Sequence, residues 1–333
     1  MKRKFILGKF FPALMIIAMG AIVWSSSLFS WGFYCHKLVN KMAVLTLPPQ
    51  MIGFYKNHIE YISEHGIDPD KRTFADENEG VRHYIDIDHY GEHPFDSMPH
   101  KWKDAVAKYT EDTLNEYGVN PWWIEKTYYK LVEAFKEKDV DKILWTSANL
   151  GHYIADGCTP LHHTEYYDGK TPDKKGIHAF WETRIPELFA EDYDFFVGQA
   201  EYIEKINDKI WEFTQSSYEA VDTIWMIQNK MDEEYPGDKK YTFENRGQAT
   251  VKVVSKEFAK QFSALLGGMV EKRMRLSVKL VGSFWYTAWV NAGQPDLKEI
   301  ETKEISDAHK KELEETEKMW KTGKVKGRPN PED

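Results

Sequence analysis

Asn120 followed directly by Pro121 marks a helix start, an N-cap side chain before a ring whose fixed φ suits the first turn. The helix it opens runs to about Lys138. A second segment, Asp139 to Asp156, follows at once and stops at Gly157, with Pro160 just beyond. Nearer the start, Leu38, Val39, Met42, Ala43 and Leu47 recur at helical steps between Phe33 and Leu47. Long amphipathic stretches cover about Asp194 to Met231 and about Thr242 to Asn291. No alternating run is long enough to suggest a sheet, and no internal repeat is visible. The expected fold class is all-α, a single multi-helix domain over residues 31–297. The loops Gly66–Gly80, Tyr90–Pro99 and Tyr166–Gly176, rich in Pro, Gly and Asp, separate its helices. After Pro295 the chain is almost wholly charged, so residues 298–333 read as a solvated helix fading into disorder.

The first thirty residues differ from the rest. Lys2, Arg3, Lys4 and Lys9 precede an apolar run from Phe10 to Trp24, then a Ser-rich stretch to Ser30. The run is shorter than the roughly 20 residues of a spanning helix. It reads as a signal peptide, residues 1–30, cut before Trp31, with an uncleaved anchor as the alternative. The expected location is secreted or periplasmic. Cleavage removes four cations and no acid, so a net charge of −9 becomes more negative still. Such a chain has no broad basic face for duplex nucleic acid. Two cysteines, Cys35 and Cys158, exclude a disulfide scaffold and a Cys-rich zinc module. They read as small buried residues, although an exported chain could oxidise them.

Chemistry concentrates in Gly151-His152-Tyr153-Ile154-Ala155-Asp156-Gly157-Cys158-Thr159-Pro160-Leu161-His162. His152 and Asp156 stand one helical turn apart, so an imidazole and a carboxylate share a face and can grip one divalent ion. His178 and Glu182 repeat the spacing, and His162 lies between the pairs. Either pair alone is more often a surface contact; together they favour a metal site. Upstream, Asp76 precedes His83, which taken alone reads as a core histidine. Trp31 and His36 flank Gly32. A chain beginning at Trp31 would offer its α-amine and carbonyl as a chelating pair. Asp86 and Asp88 are candidates for holding ligands in place, or plain surface acids.

In this order, Trp31, His36, Asp76, His83, His152, Asp156, His162, His178 and Glu182 resemble the zinc-dependent phospholipase C and single-strand-specific fungal nuclease superfamily. The resemblance covers residues 31–190 by motif, and 200–290 by helical character alone. It implies three zinc ions per chain. Asp76, His83 and His152 would hold one. Asp156 would bridge it to a second, which takes the Trp31 amine and carbonyl and His36. His162, His178 and Glu182 would hold the third. Ligands of this kind, without thiolate, suit catalytic zinc. The implied reaction is attack on phosphorus by hydroxide held between two metals, at a zinc-dependent phosphodiester hydrolase. Asp156 and Asp76 are its catalytic candidates, Asp76 also as general base. Glu182 is the phospholipase-like choice and the close Trp31–His36 spacing the nuclease-like one. The expected substrate is therefore a phospholipid first, with transient membrane contact, and single-stranded nucleic acid second, which would need stacking aromatics. A non-catalytic zinc-binding envelope protein is the reading from another class. No stable protein partner is implied.

Overall fold

The computed structural model describes residues 32–246 and 249–323. The proposed signal segment, Trp31 and the end of the tail lie outside them. The main helices are α1 (Gly32–Val44), the short α2 (Asp68–Arg72), α3 (Asn120–Glu137), α4 (Val140–Cys158), α5 (Ile206–Glu219) and α6 (Val221–Glu234). A hairpin of β1 (Tyr241–Arg246) and β2 (Ala249–Val254) follows, then α7 (Lys256–Leu265), α8 (Met269–Asn291) and α9 (Asp307–Thr322). The fold is all-α, one helical domain carrying a single hairpin among the described residues.

Helices α1, α3, α4 and α8 share the largest apolar core, built on Val39, Ala43, Leu131, Phe135, Leu144, Ala148, Val281 and Trp285. Helix α4 begins where Asp139 accepts a hydrogen bond from the Lys142 amide (3.1 Å), capping one of its unpaired N–H groups. It is buried along nearly its whole length, so its polar residues must find partners inside the protein. Two smaller cores lie beside it. One gathers Leu161, Phe180, Trp181, Ile224, Phe258 and Phe262, and the other Ile85, Ile87, Leu114, Trp122 and Trp211.

Gly151 sets the distance between α1 and α4. A Cβ placed there would lie 1.8 Å from Oδ1 of Asn40, whose amide nitrogen donates to the Ala148 carbonyl at 3.0 Å. The close approach lets the rings of His36 on α1 and His152 on α4 stack 3.9 Å apart. Gly151→Ala should therefore cost roughly 1–3 kcal/mol of stability through overpacking. It should also weaken zinc retention, because it separates two of the candidate ligands; thermal unfolding and bound zinc measured together check both effects.

The structure corrects the sequence reading in two places. Residues 194–203 form an irregular strap along α8 instead of a helix. Ser283 and Thr287 of α8 accept from the Glu201 and Ile203 amides (3.0 and 2.9 Å), occupying donors that a helix would use internally. The hairpin falls where a long helix was expected. Thr242, Val251, Val253 and Val254 give these strands the β-branched content and alternating exposure that mark them. In the charged tail the expected helix forms over Asp307–Thr322, mostly exposed and held to the domain by a few contacts. Its His309 shares a hydrogen bond with the Tyr61 hydroxyl (2.6 Å), Glu317 pairs with Lys71 (2.8 Å), and Trp320 meets Phe33 edge-on (5.8 Å).

Candidate metal centre

Helix α4 presents His152 and Asp156 inward from consecutive turns, both essentially inaccessible to solvent. Asp70 of α2 and His83 approach from one side. His83 Nδ1 and His152 Nε2 lie 3.1 and 3.2 Å from Asp156 Oδ2, and 3.5 and 3.4 Å from Asp70 Oδ1. Tetrahedral zinc with nitrogen and oxygen ligands holds its donors about 3.3 Å apart, so these atoms have the spacing of a ligand shell.

The other oxygen of Asp156 faces elsewhere. Oδ1 lies 3.5 Å from His36 Nε2, which lies 3.7 Å from Glu182 Oε1. Glu182 divides in the same way, its Oε2 reaching His178 Nε2 (2.7 Å) and His162 Nε2 (3.1 Å). Four overlapping sets of donors are close enough to hold an ion, His36 with Asp70 and His152, His83 with His152 and Asp156, His36 with Asp156 and Glu182, and His162 with His178 and Glu182, so Asp156 and Glu182 each belong to two. Glu182 projects from a π-turn, Phe180–Arg184, that follows the short helical turn carrying His178. Such turns occur often at functional sites.

Hydrogen bonds away from the centre fix the rings. His152 Nδ1 donates to the Gly66 carbonyl and His162 Nδ1 to the His83 carbonyl, both at 2.8 Å. Each bond keeps a proton on Nδ1, so Nε2, turned inward, is the nitrogen that would bind a metal once it gives up its own proton. His36 Nδ1 and His178 Nδ1 are buried without a hydrogen-bond partner among the described residues. The Cys35 thiol donates to the Glu182 carbonyl (3.1 Å), and Cys158 is buried apart from it, so the two cysteines are not joined.

The electrostatics of the bare protein describe a place built for cations. Burial alone would lower the pKa of His152, yet Asp156 and Asp70 hold it well above the usual imidazole value. Burial likewise opposes charge on Asp156, but His152 and His162 hold its carboxyl well below the usual range. His162, against Glu182 and Asp156, rises to about 9 despite burial. His36 and His178 are lowered, first by burial. No Lys or Arg pairs with Asp156 or Glu182 among the described residues, so the cationic partner of these buried acids is imidazolium or metal.

Asp76 is not among these groups. Its side chain is 39% exposed, paired with Arg82 Nη1 (3.1 Å) and accepting from the Asn78 amide (2.9 Å) in a local turn. Asp70, buried on α2, stands where the resemblance put Asp76. Asp68-Pro69-Asp70 at a helix start was the only sequence sign of it. The remaining described candidates, His36, His83, His152, Asp156, His162, His178 and Glu182, are brought together. Trp31 lies outside the described residues. Asp88 is a support: its Oδ2 accepts from the Thr164 hydroxyl (2.6 Å) and the Glu165 amide (3.1 Å), tying down the chain just past His162.

Sequence reasoning also missed Glu79. This fully buried carboxylate takes hydrogen bonds from Arg72, Arg82 and the Tyr153 hydroxyl. Burial would raise its pKa, but Arg72 and the other cations around it hold it at about 2. The Tyr153 ring it anchors meets His83 and His152 edge-on at 5.7 and 5.6 Å.

A family model for zinc-dependent phospholipase C matches residues 35–245, a span that contains every donor named above except Trp31. The chain belongs to the zinc-dependent phospholipase C family. A search of curated proteins finds no match to it. The family accounts for the donor chemistry, histidine and carboxylate without thiolate, and zinc is the metal these clusters suit. Membership carries the class of reaction, zinc-dependent hydrolysis of phosphoric esters.

Proposed function

We propose that the protein is an exported phospholipase C-like phosphodiesterase holding three zinc ions. The observation that carries this reading is Asp156, whose two oxygens face different histidine sets, with Glu182 repeating the arrangement one step along. Asp70, His83 and His152 would hold one ion, His36 and the Trp31 amine the second, and His162 and His178 the third, with Asp156 and Glu182 between them. The α-amine can serve only if the chain is cut directly before Trp31, because an amide nitrogen has no free lone pair. Bound zinc supplies positive charge at the phosphoryl oxygens and lowers the pKa of water towards about 7. The protein's own part is to fix the donors, through the Gly66 and His83 carbonyls, with the side chains buried against α4. Family membership and the acidity of the chain support a phospholipid substrate over single-stranded nucleic acid.

The test uses purified protein beginning at Trp31. Elemental analysis should give about three zinc ions per chain. Chelation should abolish hydrolysis of a soluble phosphatidylcholine analogue, and added zinc should restore it. Metal loss should also lower the unfolding temperature, since a ligand bound only by the folded state stabilises it. Active protein with a single metal would overturn the three-ion reading. Faster cleavage of single-stranded DNA than of the lipid analogue would reverse the choice of substrate.

A further inference from the structure

The two faces of the β1–β2 hairpin are treated differently by the rest of the molecule. Arg184, two residues past Glu182, donates to the Val254 carbonyl (3.1 Å) and to Glu244 (3.0 Å), and Arg246 lies 3.8 Å from Glu187. These bonds fasten the hairpin to the segment that bears Glu182. Among the described residues, the opposite face is held only at its base, where Val254, paired with Tyr241, packs against the small core of Phe258 and Phe262. It presents Tyr241, Phe243 and Asn245 from β1 beside Thr250 and Lys252 from β2, since Phe243 pairs with Lys252 and Asn245 with Thr250. Phe243 is 72% exposed and Tyr241 41%, unusual for neighbouring aromatics on one surface. Lys252 Nζ lies 4.0 Å from the centre of the Tyr241 ring and pairs with no acid among the described residues.

We propose that this outer face docks the protein on an anionic phospholipid surface. The inference rests on the phospholipid reading above and names the element that would meet the lipid. The face carries a cation and no acid in a chain of net charge −9, so its charge complements anionic head groups against the trend of the molecule. Aromatic rings beside a lysine suit the boundary between head groups and acyl chains, where the rings enter the apolar layer and the ammonium stays in water. Size argues against a protein partner. Two six-residue strands offer a face of about 200 Å², far short of the roughly 800 Å² per partner of a stable interface. A membrane needs only a few inserted side chains. The family match ends at residue 245, so β2 with Lys252 lies beyond it.

Sedimentation of the zinc-loaded protein with vesicles tests the proposal, using phosphatidylcholine alone and phosphatidylcholine mixed equally with phosphatidylglycerol. Wild type should bind the mixed vesicles and release at high salt. Tyr241→Ala with Phe243→Ala should weaken that binding about tenfold or more, given the apolar area withdrawn. Lys252→Glu should weaken it on mixed vesicles only. All variants should keep the wild-type unfolding temperature and the wild-type rate on a soluble phosphodiester. Wild type that ignores vesicles, or a double variant that binds as well as wild type, would overturn the proposal. So would a wild-type dimer that the double variant converts to monomer. Vesicle binding is read without turnover, so a wild type that binds but leaves the soluble ester intact counts against the proposed hydrolase alone.

Discussion

Asp156→Asn should reduce hydrolysis by about three orders of magnitude or more, the scale expected when a site loses its main means of stabilising charge at the reacting centre. The reason lies in the two directions of the carboxylate, Oδ2 towards His83 and His152 and Oδ1 towards His36. An amide of the same shape keeps one oxygen but replaces the other with an N–H donor, and it removes the charge that both positions share. Bound zinc should therefore fall by more than one ion per chain. His163→Ala is the comparison. His163 is as deeply buried and adjoins His162, but its Nδ1 donates to the Thr159 carbonyl (2.9 Å), and burial lowers its pKa to about 3. Its loss should destabilise the fold by roughly 1–3 kcal/mol through a cavity and one lost hydrogen bond, leaving zinc content near wild type. Equal zinc loss in the two variants would show that Asp156 does not span two ions.

Asp70→Asn and Asp76→Asn should differ by at least about tenfold in their effect, the lower end of what ligand-sphere changes cost. Asp70 is buried, with His152 Nε2 at 3.4 Å and His83 Nδ1 at 3.5 Å, and its carboxyl is held below the usual range, against burial, by His152 and its neighbours. The asparagine should lower zinc content by about one ion and activity by 100-fold or more. Asp76 makes a partly exposed pair with Arg82, of a kind worth about 1 kcal/mol or less. Its asparagine should retain zinc and nearly full activity. The measurement is zinc content and rate on a soluble ester, for both variants side by side. The opposite ranking would restore Asp76 as the ligand.

The contrast between these acids shows what the sequence could and could not display. His152–Asp156 and His178–Glu182 are legible because a helix converts a four-residue spacing into a shared face, a local rule needing no knowledge of the fold. The helices Asn120–Glu137 and Val140–Cys158 are legible for the same reason, with Pro121 and Asp139 at their starts. Asp70 is not local to anything it faces. It reaches the centre because α2 lies against α4, which no local spacing displays. The strap over residues 194–203 carried enough apolar residues to imitate a helix, but Ser283 and Thr287 claim its amides from far along the chain. The hairpin was lost to length, since two six-residue strands give too few alternations to stand out beside long helices. Glu79 carried no pattern at all; only folding gathers Arg72, Arg82 and Tyr153 around it.

The donors come from three stretches of chain, α1 at His36, residues 70–83, and residues 152–182 from α4 through the π-turn. Ions gripped among them would act as cross-links closing several large loops at once. Closing a loop costs entropy that grows slowly with its length, about 0.6 kcal/mol for each doubling, so ties between distant segments restrict the unfolded chain somewhat more than ties between neighbours. Each buried carboxylate would then face a metal, its histidine neighbours releasing a proton to become ligands, so loading the centre and tightening the fold would become one equilibrium. A lost ion would then loosen every seam that meets α4, including those far from any substrate.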